Sequence, residues 1–269
     1  MPGAVDADTE ETTGKSIAAV ERAIDVLLLF GRSGRPDLGV TETAQELGIT
    51  KGAVHRILTA LRSRRLVTAD PATRRYALGP AAVALGRAYL ARTDLRMTAA
   101  PELRALAAER GETATLSVRR GDTRIYVDQV VPASELRIEV AIGSPYPLHA
   151  GASSKAILAF PSDAEIDAYL DRSRLEALTA RTVTNAAALR KEIALIRKRG
   201  YATSAGERQE GAAAVAAPVL DHDGGVIAVV SLAGPQFRFR QRLTECAPSV
   251  LQAARRLSAE FGYGLADAD

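Results

Sequence analysis

The sequence predicts an α+β chain: an N-terminal winged helix-turn-helix, a linker helix, and a C-terminal α+β domain with a mostly antiparallel sheet. Three observations carry the prediction. Between Thr41 and Leu66, apolar residues recur at helical spacing on either side of one glycine. Between Leu66 and Leu78, two short β-prone runs flank a turn. From Thr113 onward, strand-like runs alternate with helical ones and are joined by hairpin turns.

The first 15 residues, MPGAVDADTEETTGK, are acidic and lack the apolar run of a signal peptide, so 1–15 reads as a disordered tail. Ser16 is the candidate N-cap of a first helix, and Ile17, Val20, Ile24, Leu27 and Leu28 form its expected buried stripe. A loop from Gly31 to Asp37 leads into the helix-turn-helix, at about 41–65. Thr41 is the candidate cap of its first helix, with Glu42 suited to the positive end of the dipole. Ala44 and Leu47 are its apolar positions, and Gly48 falls where a helix end needs a left-handed residue, with Ile49 packed beneath the turn. Thr50 caps the second helix, whose apolar set is Val54, Ile57, Leu58 and Leu61. Burying that face leaves Lys51, Gly52, Ala53, His55 and Arg56 at the outer N-terminal end. A recognition helix needs such small, cationic and hydrogen-bonding side chains where it enters a major groove.

Leu66 to Thr68 and Arg74 to Leu78 are the strands of the wing, joined through Asp70-Pro71-Ala72-Thr73, and Arg74 and Arg75 lie on or beside it. From Lys51 to Arg75 seven cations stand against the single acid Asp70. The whole chain carries only +3, so affinity for nucleic acid must come from this local patch. The candidate contacts to double-stranded DNA, through base edges or phosphates, are Thr50, Lys51, Gly52, Ala53, His55, Arg56, Arg74 and Arg75. The DNA-binding domain is thus placed at 16–79.

Gly79-Pro80 breaks the strand and opens a linker helix, 80–95, ended by Asp94-Leu95-Arg96. Its apolar residues are too few for a core of their own. The remaining domain, 96–264, starts with a helix opening at or just before Pro101 and closed by Gly111. Strands are expected at 115–118, 124–127, 136–140, 214–220 and 226–232, with turns at Gly121-Asp122 and Asp221 to Gly225. Helices are expected at 153–160, 163–170, 185–199 and about 244–261.

Several chemistries are disfavoured. Gly151-Ala152-Ser153-Ser154-Lys155-Ala156 lacks the Gly-Lys-Ser/Thr order of a phosphate loop, and Ala152 stands where a Ser-x-x-Lys nucleophile would be. His55, His149 and His222 are far apart in sequence, and the lone Cys246 allows neither an intrachain disulfide nor a cysteine-based zinc cluster. Cys246 reads as packing and His222 as exposed in its turn. No catalytic residue, metal or cofactor is expected. No apolar run reaches the roughly 18–20 residues of a membrane span, and a cytoplasmic location is expected. The alternatives are an enzyme or a metabolite sensor using the helix-turn-helix as a protein-interaction module.

The winged helix, the linker helix and a following domain with PLHAGASSKAILAF (147–160), RKRGYA (197–202) and AAPVLDHDGGVIAVVSLAGP (216–235) resemble the IclR family of bacterial transcription regulators. The resemblance runs from Ser16 to about Gly262. It implies a homodimer or dimer of dimers on palindromic operators, a C-terminal domain that binds a small organic effector, and repression as the commoner mode. It also implies an effector pocket at Ala152, Ser153, Ser204, Ala214 and Ser231. Many relatives carry an acidic run after Gly-Tyr, whereas here Thr203-Ser204-Ala205-Gly206 follows. Small side chains leave room, and the serine hydroxyls can hydrogen-bond a polar effector, including an acid. Lys155 could counter such an acid or serve the start of its helix.

Overall fold

A computed structural model describes residues 7–92 and 94–264, without the side chains of 7–16, 87 and 89–92. These residues divide into two compact units, one up to Arg92 and one after it.

The first unit opens with α1 (Ala7–Arg32). The expected tail at 1–15 is therefore helical from Ala7, and Ser16 lies inside the helix instead of capping it; residues 1–6 are outside the described residues. An acid-rich start suits the positive end of the helix dipole. The expected buried stripe is also corrected. Val26, Leu29 and Phe30 enter the core, whereas Ile17, Val20, Ile24 and Leu28 are about half exposed or more (56, 57, 49 and 60%). The helix has two apolar sides, and its own core takes only one.

The helix-turn-helix consists of α2 (Val40–Glu46) and α3 (Lys51–Ser63). Gly39, not Thr41, caps α2: the Glu42 carboxylate accepts from the Gly39 N–H at 3.1 Å, and the Thr43 hydroxyl donates to the Gly39 carbonyl at 3.0 Å. Gly48 takes the left-handed conformation (φ +63°) and lets the Ile49 N–H return to the Ala44 carbonyl at 3.1 Å. Thr50 caps α3 by accepting from the Ala53 N–H at 3.2 Å. Val54, Leu58 and Leu61 are buried against Val26, Leu38 and Val67.

The wing pairs β1 (Val67–Ala69) with β2 (Tyr76–Leu78), and Leu38 bridges to Tyr76 on the other side. Its base closes tightly. A Cβ at Gly79 would lie 2.3 Å from the Arg65 carbonyl oxygen, so only glycine fits there. Next, α4 (Pro80–Arg92) stops short of the expected 80–95, because Asp94 caps the following helix by accepting from the Arg96 and Met97 N–H groups.

The second unit begins with α5 (Leu95–Arg110), which carries Pro101 inside it and ends at left-handed Gly111. An antiparallel six-stranded sheet follows, in the order β5-β4-β3-β8-β7-β6. Its strands are β3 (Thr113–Arg120), β4 (Thr123–Val130), β5 (Pro145–Pro147), β6 (Ala202–Ala205), β7 (Ala212–Leu220) and β8 (Val226–Pro235). The short β5 and β6 were not expected. The strand expected at 136–140 does not form, because side chains occupy its backbone groups. Gln129 both donates to the Val140 carbonyl and accepts from the Val140 N–H, Thr113 donates to the Ile138 carbonyl, and Arg238 to that of Leu136.

Leu103, Leu116, Val215, Val230, Cys246 and Val250 belong to the core between the sheet, α5 and the last helix, α10 (Leu243–Glu260). Before α10 come α9 (Gln236–Phe239) and one 3-10 turn. Ile157, Tyr169, Leu189, Ile193, Ala216 and Val229 form a second core under α6 (Ala152–Leu158), α7 (Asp163–Arg172) and α8 (Ala186–Arg199). Cys246 is fully buried, and burial raises its thiol pKa, in keeping with a packing role. Among the described residues, no helix is long and apolar enough to cross a membrane.

Candidate functional site

In the first unit, burial of Val54, Leu58 and Leu61 turns the opposite side of α3 to solvent. Lys51, Gly52, His55 and Arg56 are all exposed there, with Ala53 half-buried. Among the described residues, no intrachain ion pair or hydrogen bond engages the side chain of Lys51, His55 or Arg56. The Thr50 oxygen is occupied as a cap acceptor, leaving its hydroxyl proton free to donate.

The two wing arginines separate. Asp70 shapes the turn by accepting from the Ala72 N–H and the Thr73 hydroxyl, both at 2.8 Å, and these bonds, that from Thr73 first, lower its pKa. The turn ends at Arg74, whose φ of +57° is left-handed and whose side chain is exposed. Arg75 points back into its own domain. Its guanidinium donates to Glu42 at 2.8 and 3.1 Å and pairs through Nε with Asp37, and the Arg75 bond holds the Glu42 carboxyl below its usual range. Arg75 therefore fastens the wing to the cap of α2, where the sequence suggested a contact for DNA.

In the second unit, a cavity of about 30 Å³ lies where the β6–β7 loop meets the start of α6. Ala152, Ser153, Ser204 and Ala214 line it together with Arg124, Tyr126, Glu207 and Arg208. Ser231 does not line it; its hydroxyl is buried 2.6 Å from that of Thr115, across the β3–β8 pair. Ser204 accepts from the Ala152 N–H at 3.0 Å, and Glu207 from the Gly151 N–H at 3.2 Å. The Ser153 hydroxyl has no hydrogen-bond partner among the described residues.

Lys155 is buried, and its Nζ donates to Glu207 and Glu192, each at 2.6 Å. Both of its expected roles are thus resolved in favour of a structural one: it holds the β6–β7 loop against α6 and α8. Burial raises the Glu207 pKa against the pull of Lys155.

Arg124 went unnoticed in the sequence. It lies on β4 opposite Tyr146 of β5, two residues before Tyr126 on the same face. Its guanidinium stacks 4.1 Å from the Tyr126 ring centre and 5.2 Å from that of Tyr146, and its Nε donates to Ser154 at 2.9 Å. The alternation Arg-x-Tyr on a strand was the available signal. A larger open groove of about 600 Å³, lined by Arg181, Gly211, Phe237 and Arg240, contains none of the expected residues. His222 is exposed in its hairpin, and no group of three or more metal-ligating side chains occurs among the described residues.

Comparison with known proteins agrees with this layout. Residues 19–71 match the IclR helix-turn-helix domain, and residues 87–259 match the bacterial transcriptional regulator IclR C-terminal domain. The chain is 36% identical over 243 residues to the HTH-type transcriptional regulator BhcR of Paracoccus denitrificans, covering 90% of this chain and 86% of that one. It is 30% identical over 257 residues to the transcriptional repressor IclR of Escherichia coli, covering 94% and 93%. An IclR transcriptional regulator from a Silicibacter species superposes with a TM-score of 0.82 at 26% identity, over 91% of this chain and 96% of that one. These relatives are regulators by name, which sets aside a catalytic reading of the second unit. With both domains matched in chain order and relatives aligned along most of their length, the chain belongs to the IclR family: it is a helix-turn-helix, DNA-binding transcriptional regulator with a C-terminal domain of the effector-binding type.

Proposed function

We propose that the protein is a cytoplasmic repressor that binds a palindromic operator as a homodimer and changes its operator affinity when a small polar organic molecule enters the cavity beside α6. The observation that carries the reading is the exposed N-terminal end of α3, where the side chains of Lys51, His55 and Arg56 have no hydrogen-bond or ion-pair partner among the described residues. These side chains read base edges or phosphates, with Thr50, Gly52 and Ala53 allowing close approach and Arg74 adding a backbone contact from the wing. Arg75 supports them from behind.

The dimer is supported by the outward apolar side of α1, Ile17, Val20, Ile24 and Leu28, together with the exposed Val83 and Leu85 of α4. A row at spacings of three and four residues suits a second copy of the same helix. Repression follows the named activity of relatives such as the E. coli repressor IclR and the acetate operon repressor of Salmonella typhimurium. The effector acts by favouring one arrangement of the two recognition helices, and it can shift operator affinity only by its own difference in affinity for the two arrangements.

The test is titration of the purified full-length protein onto the DNA upstream of its own gene, in excess random DNA. Two symmetric protected half-sites about one helical turn, or a multiple of it, apart are expected. Absence of any DNA binding by the folded protein at low salt would overturn the proposal.

A further inference from the structure

Among the described residues, the buried Arg124 lines the second unit's cavity without a carboxylate partner. Its side chain is 1% exposed, and its Nη1 has no hydrogen-bond partner. Among the described residues, the hydrogen-bond partners of its guanidinium, Ser154 and Tyr126, are hydroxyls and not carboxylates. The one carboxylate among the residues that line the cavity, Glu207, is held by Lys155. A second guanidinium, Arg208 on the β6–β7 loop, lies 4.7 Å from the Tyr146 ring centre and 6.0 Å from that of Tyr126, and it too lacks a carboxylate partner among the described residues. Arg119, directly across the strand pair from Arg124, is a further cation.

A guanidinium placed in a low-dielectric site without a counter-ion costs stability that two tyrosine faces recover only in part. Burial accordingly lowers the pKa of Arg124, and Arg208 lowers it further. Such a group is retained at a cost when its partner arrives from outside the chain. The planar fork of an arginine matches a carboxylate in shape and in hydrogen-bond direction.

We infer that Arg124, with Arg208 facing it across the tyrosine pair, reads a carboxylate, so that this cavity takes a small organic acid in preference to a neutral polyol or sugar. The inference rests on the effector-pocket reading and names the class of ligand for that pocket. The cavity of about 30 Å³ has room for roughly one water. The acid therefore enters as Arg208, half-buried on its loop, moves off Tyr146, and the carboxylate takes up the free Nη1 of Arg124 and the free Ser153 hydroxyl.

The test uses the full-length protein with sodium acetate, acetamide, inorganic phosphate and sodium chloride at matched ionic strength, read by thermal unfolding and calorimetry. The variants are Arg124→Met, Arg124→Lys and Ala214→Phe, the last filling the cavity. Acetate alone is expected to raise the wild-type melting temperature. Arg124→Met should fold, melt at or above the wild-type temperature without ligand, and bind acetate about tenfold more weakly or worse. Arg124→Lys should fall between the two. Equal stabilisation by acetamide, stabilisation by phosphate alone, or no acetate effect would overturn the assignment. Acetate binding kept in Arg124→Met but lost in Ala214→Phe would remove Arg124 and leave the pocket standing. Acetate binding kept in both variants would overturn the pocket reading as well.

Discussion

Arg74 and Arg75 are adjacent and alike in charge, yet their backbones and partners give them different work. Arg74 pays for a left-handed backbone of about 1–2 kcal/mol, and its exposed side chain makes no hydrogen bond or ion pair among the described residues. Arg75 is tied to Glu42 and Asp37. Replacing Arg74 by Gly relieves the backbone while loosening the unfolded chain, two effects that largely offset each other. Arg74→Gly should therefore keep the wild-type melting temperature and weaken operator binding. Arg75→Gln should lower the melting temperature, because Glu42 and Asp37 lose their shared cation. Equal behaviour of the two variants in unfolding and in DNA binding would contradict the division. Lys155 makes a second residue-scale case, since its removal strands a buried Glu207 carboxylate. Lys155→Met should cost about 3–5 kcal/mol, and a second change, Glu207→Gln, should recover part of it in a denaturant titration.

At the scale of the element, α1 turns one side to the core of its own unit and leaves another apolar side exposed. If that side seats a second copy, Ile24→Glu with Leu28→Glu should yield a folded monomer by sedimentation and lose tight operator binding. An unchanged sedimentation coefficient would place the dimer contact elsewhere. The helix-turn-helix was legible because its signals are local: Gly48 at the turn, Thr50 at the cap, and Val54, Leu58 and Leu61 at helical spacing all act within a few residues. The role of α1 was not, because Ile24 and Val26 are equally apolar and the sequence does not say which side meets the core. Leu136 to Val140 alternates like a strand, but Gln129, Thr113 and Arg238 reach its backbone from distant positions. Arg75 misled for the same reason, its partners lying 33 and 38 residues away. In the candidate pocket, the residues Ala152, Ser153, Ser204 and Ala214 came from resemblance to relatives. For Arg124 the sequence held only the Arg-x-Tyr alternation with Tyr126, and its second aromatic partner emerged when β5 placed Tyr146 opposite it.

At the scale of the whole molecule, the chain combines a modest net charge with a strongly basic segment from Lys51 to Arg75. That distribution favours a local, salt-sensitive grip on DNA over a general attraction. The exposed end of α3 makes that grip in the proposed complex. This role is tested most directly by measuring operator affinity against salt concentration for the wild type and for Arg56→Ala. The wild type should lose affinity steeply as salt rises. Arg56→Ala should bind more weakly with fold and dimer intact, with a slope shallower by about one for each phosphate contact removed if Arg56 meets the backbone. A variant that binds operator as tightly as the wild type at every salt concentration would contradict that role.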